Sequence, residues 1–348
     1  MFSQFFHLKS QRLLGIALAV FTPLCSPSIA QTADKQAQQA KPLSASTAAT
    51  RTTLEALSGA VTGSFLGNFM GFRTQLGLND STPYRGMAAS NDDSAWSLWA
   101  TPVYSSVNNR IEPLLSEGSV SLVLAGLEYA YDEFTIMGVS LTRDWARVTS
   151  IERVPPAADR RSAIRGLGFT VAPYFAHQLS PEWLLDLSVG KGVNDLTSTQ
   201  SDASVARPKD ERSFASMGLT YIKPFAKAAL FTGKATASLT RDAIDDFVST
   251  LPSGASTPVD GSDARLRQLR LGGQVSYQMG SFSPFVGSYA IANDFTVVTD
   301  APIKPREYAR VVQWVAGVNA SSGPIYGALA FQRERDRNQA RIYVGFRY

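Results

Sequence analysis

The sequence predicts an all-β fold: a closed, up-and-down antiparallel β-barrel of about twelve strands that crosses a membrane, with an N-terminal helix in or near its lumen. Three observations predict it. From Ser94 to Tyr348 long segments alternate apolar and polar residues with a period of two, the signature of a sheet with two unlike faces. Short and long connections alternate between these segments, as they do in an up-and-down barrel of the outer membrane. Aromatic residues collect at the short-connection ends, where rings favour the headgroup level of a membrane.

Composition narrows the alternatives. The chain has 348 residues, 44% of them hydrophobic and 18% charged, with a net charge of +4 and no repeated long apolar runs. A polytopic helical membrane protein needs runs of about 20 apolar residues, and a disordered chain needs less apolar content and more net charge. A single Cys excludes an internal disulfide framework and a Cys-based metal site.

Residues 1–30 read as a secretory signal. Lys9 and Arg12 form the positive region, Leu13 to Leu24 the apolar region, and Ser28 to Ala30 a small-residue cut site. Pro23 and Pro27 and the short apolar run argue against an anchor. Cys25 follows a bulky Leu24, which argues against a lipoprotein. Cleavage removes Cys25 and His7 and leaves 31 basic against 29 acidic residues. That balance implies no nucleic-acid partner.

Residues 31–50 are rich in Gln, Ala, Thr and Ser and lack apolar periodicity, which predicts a flexible tail. Residues 51–77 carry a helical pattern: Leu54, Leu57, Val61, Phe65, Phe69, Phe72 and Leu76 share one broad face. Gly59, Gly63, Gly67 and Gly71 form a stripe opposite it. A glycine every fourth residue also fits a strand, but a thirteenth strand breaks the even count that closes such barrels. The segment is therefore read as a helix, amphipathic enough to pack at the barrel mouth. Residues 78–93 are a connector with Pro83, Gly86 and Asn91 to Asp93 as breakers.

Residues 94–348 divide into twelve predicted strands: 94–107, 119–131, 133–149, 161–178, 182–196, 211–222, 226–241, 264–279, 282–296, 307–320, 324–335 and 339–348. Short turns follow Tyr131, Gln178, Ile222, Met279 and Ala320. Long connections cover 151–160, 197–210, 242–263 and 297–306. The girdle is assigned to Tyr129, Tyr131, Phe134, Phe175, Trp183, Tyr221, Phe225, Phe282, Phe285 and Tyr348. Lipid cannot hydrogen-bond a free strand edge, so the sheet must close. The polar face then lines the lumen with Glu128, Asp144, Asp186, Lys234, Arg270, Arg341 and Arg347. Their mixed signs suit a solvated or plugged interior.

Chemistry-bearing motifs are few. His177 is the one His after cleavage; with Ser180 or Asp186 it could form part of a hydrolase site, but its place by a short turn reads as interfacial. Asp210, Glu211, Asp245 and Asp246 read as solvated loop charges, without calcium-loop spacing. Arg153, Arg160, Arg161, Arg333, Arg335 and Arg337 lie at predicted outer rims, where they can pair with lipopolysaccharide phosphates or serve solubility. No nucleotide loop or zinc motif occurs. The expectation is no catalytic residue, no cofactor and no metal.

The run Gly126 to Leu141, two Gly-bearing strands around a tight turn, resembles an early hairpin of the autotransporter β-domain, the translocator of type V secretion. The terminal run Arg341 to Tyr348 is similar to the C-terminal signal of outer-membrane barrels. The likeness spans about Leu54 to Tyr348, and it implies that the helical segment threads the pore as a plug, its glycine stripe lying close to the wall. It implies that the barrel assembly machinery reads Ile342, Val344, Gly345, Phe346 and Tyr348, a Tyr ending the chain where Phe is commoner. It also implies a monomer in the bacterial outer membrane that leads an N-terminal segment outward. Only residues 31–50 precede the predicted helix, shorter than a folded domain, so the expected cargo is a short tail. The alternative is a passenger-less surface barrel or pore whose long loops bind lipopolysaccharide or host molecules.

Overall fold

The computed structural model describes residues 42–64, 95–111, 114–132, 134–152, 160–226, 228–298, 306–322 and 325–347. Residues 42–64 form a helix, α1. Fifteen strands follow: β1 (Trp96–Ile111), β2 (Leu114–Ala130), β3 (Thr135–Glu152), β4 (Arg160–Ser180), β5 (Trp183–Gln200), β6 (Val205–Ala206), β7 (Lys209–Ala226), β8 (Ala229–Ile244), β9 (Phe247–Thr250), β10 (Ser256–Val259), β11 (Ser262–Tyr277), β12 (Phe282–Val298), β13 (Arg306–Ser322), β14 (Ile325–Glu334) and β15 (Arg337–Arg347).

Twelve of these strands close the barrel, each antiparallel to the next. Closure comes from β1 against β15, with Leu98 opposite Phe346 and Ser105 opposite Gln339. The ring passes from β5 directly to β7, with Trp183 opposite Tyr221, and from β8 directly to β11. The three short strands stand outside it. β6 pairs with the end of β5 and with β9, and β9 pairs with β10. They build a small sheet on the long-connection rim, out of the connections 201–208 and 245–261.

All twelve predicted strands are present, several of them longer at the long-loop end than the alternation suggested. The pattern that made them is inverted relative to a soluble protein. Along β11, Leu269, Leu271, Val275 and Tyr277 are exposed, whereas Gln268 and Ser276 are buried. Along β13, Val312 and Trp314 face outward and Gln313 inward. The outer wall is thus apolar and the inner one largely polar, the arrangement lipid demands.

The short-turn rim carries exposed Trp96, Tyr129, Tyr131, Phe134, Trp183, Phe225 and Phe282. Phe285 does not belong to this girdle. It points inward and packs with Tyr289, Val315 and Ala330, because it lies an odd number of residues from Phe282 and so shares the opposite face. Tyr348 lies outside the described residues. The turn between β11 and β12 requires Gly280, whose φ of 61° is unfavourable for a side chain. In the β2–β3 turn the Phe134 N–H donates to Asp132 Oδ1 at 2.8 Å. Desolvation raises the Asp132 carboxyl, but this bond, the hydrogen bonds of Thr135 and the nearby His177 together hold it below the ordinary carboxylate range.

The helix begins earlier than its apolar pattern predicts. Residues 42–50, expected as part of a flexible tail, are helical and almost wholly buried. The tail reading assumed that a helix shows an apolar stripe facing a core and a polar face in water. This helix is enclosed on all sides by a mixed wall, so small residues such as Ala45, Ser46, Ala49 and Thr50 suit it all round. Pro42 stands at its first described turn, a position where the missing N–H costs nothing. Residues 65–77 of the predicted helix, the connector 78–93 and the signal 1–30 lie outside the described residues.

Candidate functional site

Side-chain contacts along α1 fix both its place and its direction. At its start, Ser44 Oγ meets Ser150 Oγ at 3.5 Å near the end of β3. Ser46 donates to Asp210 and, at 3.1 Å, to Asp242 Oδ1. Thr50 donates to the same Asp242 oxygen at 2.6 Å. These acids sit where β7 begins and β8 ends, at the long-loop rim. At the other end, Ser64 donates to Glu128 Oε2 at 2.6 Å and lies 3.2 Å from Tyr326 Oη. Both partners stand at the short-turn rim. The helix therefore runs down the lumen, with residue 42 at the long-loop end and residue 64 at the short-turn end.

Between these ends the wall grips the helix with ion pairs. Arg51 donates to both oxygens of Glu334, at 2.9 and 2.8 Å, and to Glu55 at 3.0 Å. Arg337 returns two bonds to Glu55, each 2.9 Å, and a further bond to Thr52 at 3.1 Å. Glu334 also accepts from Gln313 at 2.7 Å. Lower down, Lys234 binds Asp186 at 2.9 Å and the Ser58 carbonyl at 3.2 Å, and donates to Thr62. In each pair a single guanidinium nitrogen sits between both carboxylate oxygens, a charge-assisted contact stronger than a neutral hydrogen bond, and removing one partner of a buried pair leaves a costly charge behind.

Around the lower end lies an aromatic floor. Trp99 Nε1 donates to Tyr174 Oη at 2.8 Å, and Tyr174 donates to Glu128 Oε1 at 3.0 Å. Ser97 adds a third donor to Glu128 at 2.8 Å. Tyr343 Oη meets Tyr326 Oη at 3.3 Å. Wall glycines make room for these rings: a Cβ at Gly126 would lie 2.3 Å from the Trp99 ring, and one at Gly345 would lie 2.2 Å from the Tyr326 ring.

The predicted lumen residues Glu128, Asp144, Asp186 and Lys234 are all buried inside the barrel. Arg270 stacks on Tyr289 with its Cζ 3.6 Å from the ring centre. The Arg347 side chain lies outside the described residues. Of the glycine stripe, Gly59 faces Arg341 and Gly63 faces Tyr343, both on β15, while Gly67 and Gly71 fall outside the description. Within the terminal run, Ile342, Val344 and Phe346 point to lipid, whereas Gly345 points inward beneath Tyr326.

Several residues taken from sequence as solvated rim charges are structural contacts instead. Asp210 is buried with Asp242, Arg212 and Asp144; Arg212 donates to Asp144 at 2.7 Å and lies 3.8 Å from Asp210. Glu334 and Arg337 are the clamps on α1, while Arg333, Arg335 and Asp336 are exposed as expected. Alternation explains the split, since every second residue of the last hairpin faces the lumen. The signal that could have found the clamps is the Arg51 and Glu55 pair on one helix face, which asks for partners of both signs. Glu211 is exposed and lies 3.5 Å from Lys191. Asp245 and Asp246 are exposed, as are Arg160 and Arg161, and Arg153 lies outside the described residues.

His177 forms no hydrolase constellation among the described residues. Its Nδ1 lies 2.9 Å from Thr135 Oγ1 and its ring stacks on Phe175, while Asp186 is taken by Lys234. Among the described residues no group of three His, Cys, Asp or Glu could hold a metal ion.

The family model described as "Autotransporter beta-domain" matches residues 98–301, more than half of the chain. The translocator domain of autotransporter NalP from Neisseria meningitidis is similar in fold, at 12% identity and a TM-score of 0.50, covering 83% of this chain and 98% of that one. The beta domain of the Bordetella autotransporter BrkA shares 15% identity over 73% of this chain and 100% of that one, with a TM-score of 0.49. The transport unit of the autotransporter AIDA-I from Escherichia coli shares 11% identity over 82% and 98%, with a TM-score of 0.48. A search of curated proteins found no match. The chain belongs to the autotransporter β-domain family, the outer-membrane β-barrel translocators of type V secretion.

Proposed function

We propose that this barrel leads the segment preceding its helix to the cell surface and retains α1 as the stopper of the emptied pore. The observation that supports this reading is the direction of the helix. Short turns of such barrels face the periplasm and long loops the outside. A helix whose first residues bind Ser150, Asp210 and Asp242 at the long-loop rim delivers the preceding chain to the outer mouth. Its last described residue, Ser64 beside Glu128, is on the side from which β1 starts. On this reading the chain is exported by a signal peptide cut after Ala30. It is inserted as a monomer by the barrel assembly machinery through Ile342, Val344, Gly345, Phe346 and Tyr348. It performs no chemistry of its own. The exposed rim arginines Arg160, Arg161, Arg333 and Arg335 suit lipopolysaccharide phosphates.

A tag inserted at residue 32 tests this in intact cells. Antibody or protease access to the tag without permeabilisation is the expected result. A tag reached only after the outer membrane is opened contradicts it.

A further inference from the structure

Beside the lower half of α1, a cavity of about 70 Å³ separates the helix from the wall of β8, β11 to β15 and β1. It lies along Gly59 and Gly63; among the described residues its lining holds three cations, Lys234, Arg270 and Arg341, and no carboxylate. The three differ in what they hold. Lys234 is paired with Asp186 at 2.9 Å. Arg270 donates twice to Gln313 Oε1, at 3.1 and 2.8 Å, a neutral partner. Arg341 makes no hydrogen bond or ion pair with any described residue, and its guanidinium lies where a Cβ on Gly59 would be, 1.9 Å from Nη1.

Neighbouring carboxylates do not make up the difference. Glu55 is held by both Arg337 and Arg51, and Glu334 by Arg51 and Gln313. Glu128, beyond Tyr343, is bound by three hydroxyl donors. Among the described residues four carboxylates (Asp186, Glu55, Glu334, Glu128) thus stand against five cations (Lys234, Arg51, Arg337, Arg270, Arg341) along this stretch, and neither Arg270 nor Arg341 is paired with any of them. A guanidinium cannot shed its proton to relieve this, and an unpaired charge away from bulk water is expensive. The cavity exceeds the space of about 10–15 Å³ that a single water requires.

We propose that this cavity is a binding site for a small inorganic anion, of halide to phosphate size, held between Arg341 and Arg270 against the glycine face of α1. The glycine stripe then has a role apart from bringing the helix near the wall: it leaves the room in which Arg341 lies flat and the anion sits. The anion becomes part of the seated plug, since one side of its site is the helix.

Bromide is the probe. Crystals of the full chain in detergent, soaked in sodium bromide, are expected to show an anomalous peak between the guanidinium groups of Arg341 and Arg270. Arg341→Gln should abolish that peak while bromide at exposed arginines is unchanged. If Arg341→Gln fails to fold, judged by heat-modifiable migration in electrophoresis, Arg270→Gln on a different strand is expected to weaken the same peak. No peak in the unaltered protein overturns the proposal, as does a peak that persists at full strength in the folded variants.

Discussion

The two halves of α1 are held by different physics. The upper half, nearest the long loops, is gripped by directional pairs: Ser46 and Thr50 on Asp242, Arg51 on Glu334, and Arg337 on Glu55. The lower half is nearly featureless on the side that carries Gly59 and Gly63, and it meets a cavity and the flat faces of Arg341 and Tyr343. Its polar contacts come from another side, where Lys234 holds the Ser58 carbonyl and Thr62, and from the end, where Ser64 reaches the aromatic floor. The upper half sets the register of the helix, because charged pairs fail when shifted by one residue. On the side that carries Gly59 and Gly63, the fit of the lower half depends on the absence of side chains.

The largest expected loss comes from the upper clamp. Arg337→Leu leaves buried Glu55 with Arg51 as its remaining ion-pair partner, at a cost of up to about 3–5 kcal/mol. The helix should then leave its seat often, read as frequent full-size openings in planar bilayers. A variant as quiet as the unaltered protein would show that the upper grip is not what holds the helix. Next comes Ser46→Ala, which removes a donor shared by Asp210 and Asp242. Leaving buried acceptors unsatisfied costs about 1–3 kcal/mol, so the midpoint of denaturant unfolding should fall and openings should rise less than in Arg337→Leu. In the floor, Gly126→Ala drives a methyl into the Trp99 ring. Overpacking of this kind costs about 1–3 kcal/mol, and the expected sign is an altered Trp fluorescence with a lower unfolding midpoint. Gly59→Ala should do least. Its methyl meets only the flexible tip of Arg341, and the gain in helix propensity of about 1 kcal/mol offsets the displacement. A loss as large as that of Arg337→Leu would mean the lower half is as strictly specified as the upper.

How much of this was legible in the sequence follows from the same contrast. The wall was legible because lipid imposes a rule on every second residue: Leu269, Leu271 and Val275 must be apolar, and Gln268 and Ser276 need not be. Connection lengths then ordered the strands. The seat of the helix was less legible. Residues 42–50 carry no apolar stripe, since a lumen asks for small size instead of one greasy face. Glu334 and Arg337 sit in a run of alternating charge that also suits a solvated rim, and only the inward direction of every second residue separates them from Arg333 and Arg335. Asp210 looked like a loop acid because β7 extends further outward than its alternation shows.

Single-channel conductance in planar bilayers, comparing the full chain with one lacking residues 42–64, tests the central claim most directly. A helix that fills the lumen predicts small, rare currents from the full chain and stable openings several-fold larger from the deletion. Equal conductance from the two would contradict a lumen closed by its own helix.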